Sequence, residues 1–245
     1  MKILPFVLLV AACGGSNSPS GGHNPDAPAS QMDGRVFMDA PPSVPAMLTI
    51  GGTALDNGQN SSTPLAGAAI TLKNRTDDMT LATATSDAQG KYSMMVATNG
   101  HVVDAYILAT KSGYVDAAAF PAKPFEADTS KADSNMITTS NYNLLGVYTG
   151  QQSSKGIIIV EVLDAAGMPV MGAAVSSTPA SGSVLYSSNS GIPQSGSATN
   201  TDGTGFLVNE TPGSVMLEVS KSGATFKTHA VNARANTFTS TVVTE

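Results

Sequence analysis

Short runs of alternating apolar and polar residues, separated by turn-forming residues, make up the chain from residue 47 onwards. The clearest run is 157–163, in which every second residue from Ile158 to Val162 shares one face. The run 215–219 alternates in the same way. A period of two residues is typical of a β-strand with one buried face. Regular punctuation by Gly, Pro, Asn and Asp predicts many short strands. We therefore expect an all-β protein.

The composition favours the same class and excludes several functions. Leu, Glu and Lys are scarce, whereas Thr, Ser, Val and Gly are plentiful, which disfavours a helical bundle. Only 12% of residues are charged and the net charge is −6, so no nucleic-acid partner is expected. A single cysteine rules out an intrachain disulfide.

An internal repeat divides this region into two copies. Three short motifs occur twice and in the same order, at offsets of 105, 115 and 110 residues, as follows from their positions in the sequence. The pairs are 64–70 (PLAGAAI) with 169–175 (PVMGAAV), 86–92 (SDAQGKY) with 201–206 (TDGTGF), and 111–113 (KSG) with 221–223 (KSG). Solenoid repeats are about 20–45 residues long, so offsets of this size predict tandem domains.

This order of motifs resembles the carboxypeptidase regulatory-like domain, a small seven-stranded sandwich related to transthyretin and to Ig-like folds. Residues 164–169 (DAAGMP) fit its first motif well, whereas the first copy has a longer hairpin between Asp56 and Pro64. The resemblance implies two tandem seven-stranded Ig-like or prealbumin-like β-sandwiches, at 47–115 and 156–245. The zinc carboxypeptidase domain that accompanies this sandwich in the name-giving family is absent from this chain.

The repeated Asp and Gly residues are expected to build structural turns. Asp87 and Asp202 can accept bonds from backbone N–H groups two residues on, and Gly90 and Gly205 would supply a positive φ. Tyr92 and its counterpart in the second copy, Phe206, would then enter the core. A calcium site is the alternative, but residues 202–205 (DGTG) offer too few oxygen ligands.

The N-terminus has the pattern of a secretory signal peptide over residues 1–12, with Lys2 before an apolar run too short to span a bilayer. The run ends VAAC at Cys13, which resembles the lipobox of bacterial lipoproteins. In that family the cysteine thiol receives a diacylglycerol and becomes the first residue of the mature chain. The alternative is an ordinary signal peptide, with Cys13 incidental.

Residues 13–46 would then hold the lipidated cysteine and a flexible linker, because their Gly, Ser, Asn and Pro content is that of a linker. Gly14 follows the cysteine where retention in the inner membrane would call for Asp. By analogy with lipoproteins, the expected location is the cell envelope, at the outer membrane of a Gram-negative bacterium.

The segment 116–155 has no counterpart in the second copy and is expected to lie between the domains. Thr139 or Ser140 could cap a short helix that runs to Tyr148. The simplest role for the segment is to fix the angle between the domains. The alternative is a binding element in which Tyr142 and Tyr148 stack on a sugar or a peptide.

No arrangement of residues predicts catalysis, a metal site or a cofactor. His101 and His229 have no His or carboxylate at the spacing of a metal pair, and the five Glu residues are far apart in sequence. Ring-cleaving dioxygenases, which have related sandwiches, need Tyr and His residues around iron, whereas these two histidines lie in different copies.

The sequence thus predicts a lipid-anchored, non-catalytic envelope protein that serves as a structural or protein-binding module. The alternatives are a carbohydrate-binding surface module that uses Tyr142, Tyr148 and Tyr186, or an accessory protein of an envelope peptidase. The expected partners are the membrane, through the lipid anchor, and an envelope protein or a glycan.

Overall fold

The computed structural model describes residues 44–58, 62–189 and 191–245, and within these ranges it has sixteen strands and one helix. The predicted signal peptide (1–12), Cys13 and all but the end of the predicted linker (13–46) lie outside the described residues. The all-β class predicted from the sequence is confirmed.

The elements follow one another in two successive halves. The first half contains β1 (Met47–Asn57), β2 (Ser62–Pro64), β3 (Ala69–Asn74), β4 (Thr80–Thr85), β5 (Lys91–Ala97), β6 (Ala105–Thr110), β7 (Asp116–Phe120), β8 (Ser134–Met136) and the helix α1 (Thr139–Thr149). The second half contains β9 (Gly156–Leu163), β10 (Ala174–Thr178), β11 (Ser183–Ser187), β12 (Pro193–Gln194), β13 (Thr204–Glu210), β14 (Gly213–Ser220), β15 (His229–Ala233) and β16 (Thr237–Thr244).

In the first half, a small sheet packs on strands β4, β3, β6 and β7. This first cover sheet contains β2, β1 and β5 in that order, with β8 parallel to β1. Strand β5 shows why the two layers associate, because its residues are alternately buried and exposed. Its inward residues meet those of the facing strands in a core that includes Ile50, Leu72, Met94 and Ile107.

The second half has a similar two-layer arrangement. The second cover sheet contains β10, β14 and β15, and it packs on β12, β11, β13, β9 and β16. The core between the layers includes Val160, Leu207, Leu217 and Val231. Each half is therefore a sandwich of two antiparallel-rich layers.

The two sandwiches have one layer in common. Within the described residues, nine strands form a long sheet in the order β12-β11-β13-β9-β16-β7-β6-β3-β4. The C-terminal strand β16 is parallel to both of its neighbours, so that Thr239 pairs with Ile158 on one side and with Ala118 on the other. The last strand of the chain thus joins the two halves edge to edge.

The two cover sheets lie on opposite faces of the long sheet. Successive residues of a strand point to opposite faces. On β6, Ile107 belongs to the first core, whereas Tyr106 belongs to the second core together with Phe120 of β7. The second sandwich therefore extends beneath strands of the first, which makes the two halves interdependent.

Helix α1 covers the face of the long sheet that the second cover sheet leaves open. Leu145 of the helix packs with Ile157 and Ile159 of β9, and with Phe206 and Phe238. Consequently every residue of β9 is buried, on both faces. Among the described residues, no helix has the length and apolar content needed to cross a membrane.

The segment 116–155, which we expected between the domains, contributes to the sandwich of the first half. Strand β7 pairs with β6, and β8 pairs with β1. Between them, Phe125 forms a bridge with Val103. The remainder forms α1, and its N-cap is Thr138, whose hydroxyl accepts from the N–H of Asn141, rather than Thr139 or Ser140.

Candidate functional site

The predicted turn at Asp87 is present and is tightly bonded. One carboxylate oxygen of Asp87 accepts from the backbone N–H groups of Gln89 (2.9 Å) and Lys91 (2.8 Å). Gly90 has a φ of +72° and donates its N–H to the Asp87 carbonyl at 2.9 Å. The carboxylate is thus used within its own loop, as expected of a structural turn.

Asp164 forms the same turn in the second half. Its carboxylate accepts from the N–H groups of Ala166 (2.9 Å) and Met168 (2.8 Å), and Gly167 has a φ of +79°. This turn belongs to the DAAGMP motif that the sequence singled out.

In each half, one buried hydroxyl residue bonds through its side chain and its backbone to the same neighbouring segment. We refer to this arrangement as the hydroxyl bracket. The hydroxyl of Ser86 donates to the carbonyl of Leu65 (2.6 Å) and accepts from the N–H of Ala68 (2.9 Å). The backbone of Ser86 also bonds to the same segment, since its N–H donates to the Ala68 carbonyl and its carbonyl accepts from Gly67.

In the second half, Thr199 takes the place of Ser86. Its hydroxyl donates to the carbonyl of Val170 (2.6 Å) and accepts from the N–H of Ala173 (3.0 Å). Its N–H donates to the Ala173 carbonyl, and its carbonyl accepts from the N–H of Gly172. The structural repeat therefore matches Ser86 with Thr199, whereas the sequence alignment had matched it with Thr201.

This shift corrects the predicted role of Gly205. The glycine equivalent to Gly90 is Gly203, which has a φ of +66°. A Cβ on Gly90 would lie 2.6 Å from the Ala54 carbonyl oxygen, and one on Gly203 would lie 2.6 Å from that of Val162. Gly205 instead lies within strand β13. The sequence offered two glycines after Asp202, and the spacing alone did not identify the turn glycine.

The predicted role of Asp202 changes for the same reason. The residue equivalent to Asp87 is Asn200, whose carbonyl accepts from the N–H of Gly203 at 3.0 Å. Asp202 lies one residue before that glycine, and its carboxylate accepts from the N–H of Thr204 at 3.2 Å. Asp202 thus makes a local turn contact, but it is not the counterpart of Asp87.

Tyr186 is a core residue and does not face solvent, in contrast to its predicted role in ligand stacking. It is 4% exposed, and its hydroxyl accepts from the N–H of Val175 at 3.0 Å. A Cβ on Gly205 would lie 3.6 Å from the Tyr186 ring, so the ring occupies the space beside that glycine. The register that buries Tyr186 depends on the pairing of β11 with β13, which its own sequence does not specify.

The other two predicted stacking residues lie on different flanks of α1. Residues of a helix are about 100° apart, so Tyr142 and Tyr148 point about 120° away from each other. Tyr142 is half-buried against the core beneath the helix, and this burial raises its pKa. Tyr148 is 48% exposed. A single flat ligand therefore cannot stack on both rings.

A groove runs along the Tyr142 flank of α1 and has a volume of about 290 Å³. This volume is near the lower end of the range for small-ligand sites, about 300 Å³. Its lining has no charged side chain: it consists of Tyr142, Asn143, Gly146, Val147, Gln151, Gln152, Ser153 and Asn236. An aromatic ring among amide and hydroxyl groups is suited to a neutral, hydroxyl-rich ligand.

One wall of the groove is held in place by Gln151. Its side-chain oxygen accepts from the N–H of Asn209 (3.0 Å), and its amide nitrogen donates to the carbonyl of Lys155 (2.9 Å). The N–H of Gln152 donates to the Asn209 side chain at 2.7 Å. The loop after α1 is thereby fixed to β13, and sequence patterns gave no sign of this long-range contact.

A cluster of charged residues joins the two halves at a second place. The guanidinium of Arg75 donates to the carbonyl of Ala230 on β15 (2.7 Å) and pairs with Asp104 at 2.9 Å. It also lies 5.8 Å from the centroid of the Phe120 ring. Burial lowers the pKa of Arg75, and the charge of Asp104 partly opposes that effect.

Arg234 makes a matching contact from the second half to the first. One of its terminal nitrogens lies 2.6 Å from both carboxylate oxygens of Asp78 and 2.5 Å from the Tyr106 hydroxyl. The Tyr106 hydroxyl itself donates to Asp78 at 2.8 Å. The ring of Tyr106 stacks on Phe120 with centroids 4.5 Å apart. We refer to Arg75, Asp78, Tyr106 and Arg234 as the charged clamp.

His229 lies beside the clamp and is 6% exposed. Burial and the positive charge of Arg75 lower its pKa to about 4. Its Nε2 atom has no hydrogen-bond partner among the described residues. The packing around His229 therefore disfavours its protonated form, and the effect is felt between about pH 4 and pH 6.5.

Glu210, at the end of β13, is 1% exposed. Burial raises its pKa, and a hydrogen bond from Ser177 partly offsets this rise. In the described part of the chain, no group of three or more His, Cys, Asp or Glu residues is placed to hold a metal ion. His101 and His229 do not approach each other in sequence or in any described contact.

No family model and no curated protein sequence matches this chain. Among solved structures, it is similar to the Bacillus anthracis TIE protein (13% identity, TM-score 0.27), with 81% of this chain and 34% of that chain covered. It is also similar to GBS52, the minor pilin of Streptococcus agalactiae (12% identity, TM-score 0.27), with 81% and 96% covered. The shaft pilin SpaA of Lactobacillus rhamnosus GG (10% identity, TM-score 0.26) is covered over 97% of its length and covers 81% of this chain. The chain spans about a third of the length of the TIE protein structure. These identities and TM-scores are too low to indicate a function.

Proposed function

We propose that this protein is a lipid-anchored, non-catalytic component of the cell envelope that acts as a rigid structural or protein-binding module. The observation that supports this proposal most directly is the long sheet, because β16 pairs with strands of both halves. Two sandwiches that share a layer cannot rotate about a linker. Surfaces on the two halves are thus held at fixed separations.

The charged clamp supports the same role. Arg75 and Arg234 each reach from one half to the other, and both are partly shielded from water, with side chains 14% and 28% exposed. Hydrogen bonds to charged groups contribute about 1.5–3 kcal/mol each, and less where the partner is half-exposed, as the side chains of Asp78 and Asp104 are. The clamp therefore opposes hinge motion between the halves.

The rigidity is testable by the distance between two spin labels. Labels would be attached to Met95→Cys in the first half and Met168→Cys in the second, both exposed in the native chain, with Cys13→Ser to remove the other thiol. We expect one narrow distance distribution. The matched control is a pair of cysteines within one half, at Met79 and Met95. A distribution much broader than that of this control would contradict the rigid module.

The lipid anchor is supported by the sequence around Cys13. The chain has one cysteine, and it follows an apolar run in a lipobox-like context. A single acyl chain binds a membrane only marginally, whereas several chains together anchor a protein stably. The anchor would hold the module at the surface of the membrane.

Cys13→Ser tests the anchor in cells fed with an alkyne-labelled fatty acid. We expect the unaltered chain to incorporate label and to sediment with membranes, and the variant to do neither. Ser16→Ala, three residues further on, serves as the matched control and should behave as the unaltered chain. Membrane retention of unlabelled Cys13→Ser protein would refute lipidation. Gly14→Asp should shift the labelled protein from the outer to the inner membrane.

Carbohydrate recognition is the second candidate function, and the groove beside α1 is the observation that favours it. Its uncharged lining combines Tyr142 with Asn143 and Asn236. The full chain would be applied to a glycan array, and any bound sugar would be titrated against Asn143→Ala. Loss of binding in Asn143→Ala, but not in Tyr148→Ala on the other flank, would support the groove. No binding to any glycan would exclude this candidate.

A further inference from the structure

Strand β4 forms one end of the long sheet and has an open side. It pairs with β3 alone, and no strand lies beyond it among the described residues. In an antiparallel pair, an edge strand directs the N–H and C=O groups of about every second residue away from its partner. No other backbone bond to Thr80–Thr85 occurs in the described part of the chain. The outward groups of β4 are therefore free to pair with another strand.

The core is incompletely closed at this edge. Ala82 and Ala84 point into the first core, yet both are only half-buried. The inward residues of β5, which forms an edge of the first cover sheet, are by contrast fully buried, for example Tyr92 and Met94. An added strand beside β4 would complete the cover over Ala82 and Ala84.

Three other edge strands carry features that block strand addition, whereas β4 does not. Natural proteins protect edges with proline, with charged residues or with very short strands. Strand β2 ends in Pro64, β12 is two residues long and contains Pro193, and β10 is followed by Pro179. The sequence of β4, TLATAT, contains neither a proline nor a charge.

We propose that β4 is an interface at which a second copy of this chain adds its own β4, antiparallel, so that the long sheet continues across a two-fold axis. Such pairing is self-complementary, as an isologous dimer requires. In the register centred on Thr83, the inward residues of both copies stay on one face of the sheet: Thr83 lies opposite Thr83 of the second copy, and Ala82 lies opposite Ala84. Thr–Thr pairs across strands are favourable, and the small residues let the backbones approach.

The acidic residues flanking β4 are already engaged within each copy. In this register, Asp78 of one copy comes near Asp87 of the other. Asp78 is bound by Arg234 at 2.6 Å, and Asp87 accepts two backbone N–H bonds in its turn. The residual repulsion is screened by salt. The dimer should therefore be strengthened, not weakened, by added salt.

The test is the oligomeric state of the purified full-length chain, measured by sedimentation velocity over a wide concentration range. We expect a monomer–dimer equilibrium. Thr83 is exposed, and Thr83→Lys places like charges close together across the axis, which should weaken the dimer by about tenfold. Thr83→Glu should have the same effect. An equimolar mixture of the two variants should regain dimer, because the opposite charges then attract.

The mixture distinguishes a lost interface from a misfolded chain, since only folded edges can regain pairing. Ser176→Lys, an exposed position on the edge strand β10, is the matched control and should leave the dimer unchanged. A monomer at all concentrations would overturn the proposal. So would a dimer that is insensitive to both Thr83 variants, because it would use another surface. The rigid module does not depend on either outcome, since the label-to-label distance within one chain is measured separately.

Discussion

The two halves of the molecule use the same hydroxyl bracket but fill the space beside it in different ways. In the first half, the residue two positions after the turn glycine is Tyr92, which enters the core, and its hydroxyl donates to the Ala132 carbonyl. In the second half, the equivalent residue is Gly205, and the ring of Tyr186 from a neighbouring strand occupies the vacant space. The volume of an aromatic ring is kept, but its position in the sequence is not.

This difference separates what a buried turn requires from what a core requires. Buried N–H and C=O groups must be paired, and only a small hydroxyl residue at one position can bond to both Leu65 and Ala68, or to Val170 and Ala173. A core requires filled volume, and any neighbouring strand can provide it. The bracket is therefore the repeated element, and the aromatic ring is interchangeable.

The comparison is tested most severely by removing the two rings. Tyr92→Ala and Tyr186→Ala should each lower the free energy of unfolding by about 3–5 kcal/mol, as expected for a large buried aromatic residue. Denaturant titration measures both. If the rings are interchangeable, the two losses should agree within about 1 kcal/mol. Exposed Tyr148→Ala is the control, and a loss for Tyr186→Ala as small as that of the control would contradict its role in the core.

The turn glycines provide the second test. Gly90→Ala and Gly203→Ala combine a left-handed backbone with a Cβ 2.6 Å from a carbonyl oxygen, and each should cost about 3 kcal/mol. Gly172→Ala has the same backbone conformation but open space around its Cβ, and should cost about 1 kcal/mol. Equal losses at Gly172 and Gly203 would show that the close contact is unimportant.

The pH dependence of stability tests the packing around the charged clamp. The folded-state pKa of His229, about 4, lies below its unfolded value of 6.5, so the unfolded chain binds more protons between these values. The contribution of His229 to the free energy of unfolding should therefore be greatest above pH 6.5 and decline towards pH 4, by at most about 3 kcal/mol. His229→Gln should remove this part of the slope in denaturant titrations. An unchanged slope would mean that His229 is not the group responsible.

Glu210 acts in the opposite sense, because burial raises its pKa. Its contribution to stability is present at low pH and is lost as the pH rises through the folded-state pKa. Compared with the unaltered chain, Glu210→Gln should raise the free energy of unfolding more at pH 7 than at pH 4. Comparing the pH dependence of unfolding in His229→Gln and Glu210→Gln separates the contributions of the two residues. A pH profile that neither variant changes would contradict both assignments.

The hydroxyl brackets should give the smallest and most nearly equal effects. Ser86→Ala and Thr199→Val each leave the N–H of Ala68 or Ala173 buried without its partner, at a cost of about 1–3 kcal/mol. Ser86→Thr, which copies the second half into the first, should cost less than Ser86→Ala. Denaturation midpoints compare the three variants, and a greater loss for Ser86→Thr would show that the brackets are not equivalent.

Local patterns were sufficient to predict the all-β class, several of its strands and the Asp87 turn. The alternation predicted for β14 is present, whereas β9, which was expected to bury one face, is buried on both. The Asp87 turn follows from side-chain bonding to nearby N–H groups. The motif order correctly indicated that the chain repeats itself. Lipidation at Cys13 remains a prediction from sequence. The match between copies was wrong by two residues at Asp202 and Gly205, because two glycines satisfied the same local rule.

Tertiary structure alone decided which strands became neighbours. The residues of β16 include three threonines and a serine that are buried between two parallel strands, yet nothing in this segment specifies β7 as a partner. The position of Tyr186, the groove beside α1 and the charged clamp depend in the same way on contacts between distant segments. Alternation encodes which face of a strand is buried, and this property is local. The choice of partner depends on the burial and hydrogen bonding of the whole chain, and only the folded molecule determines it.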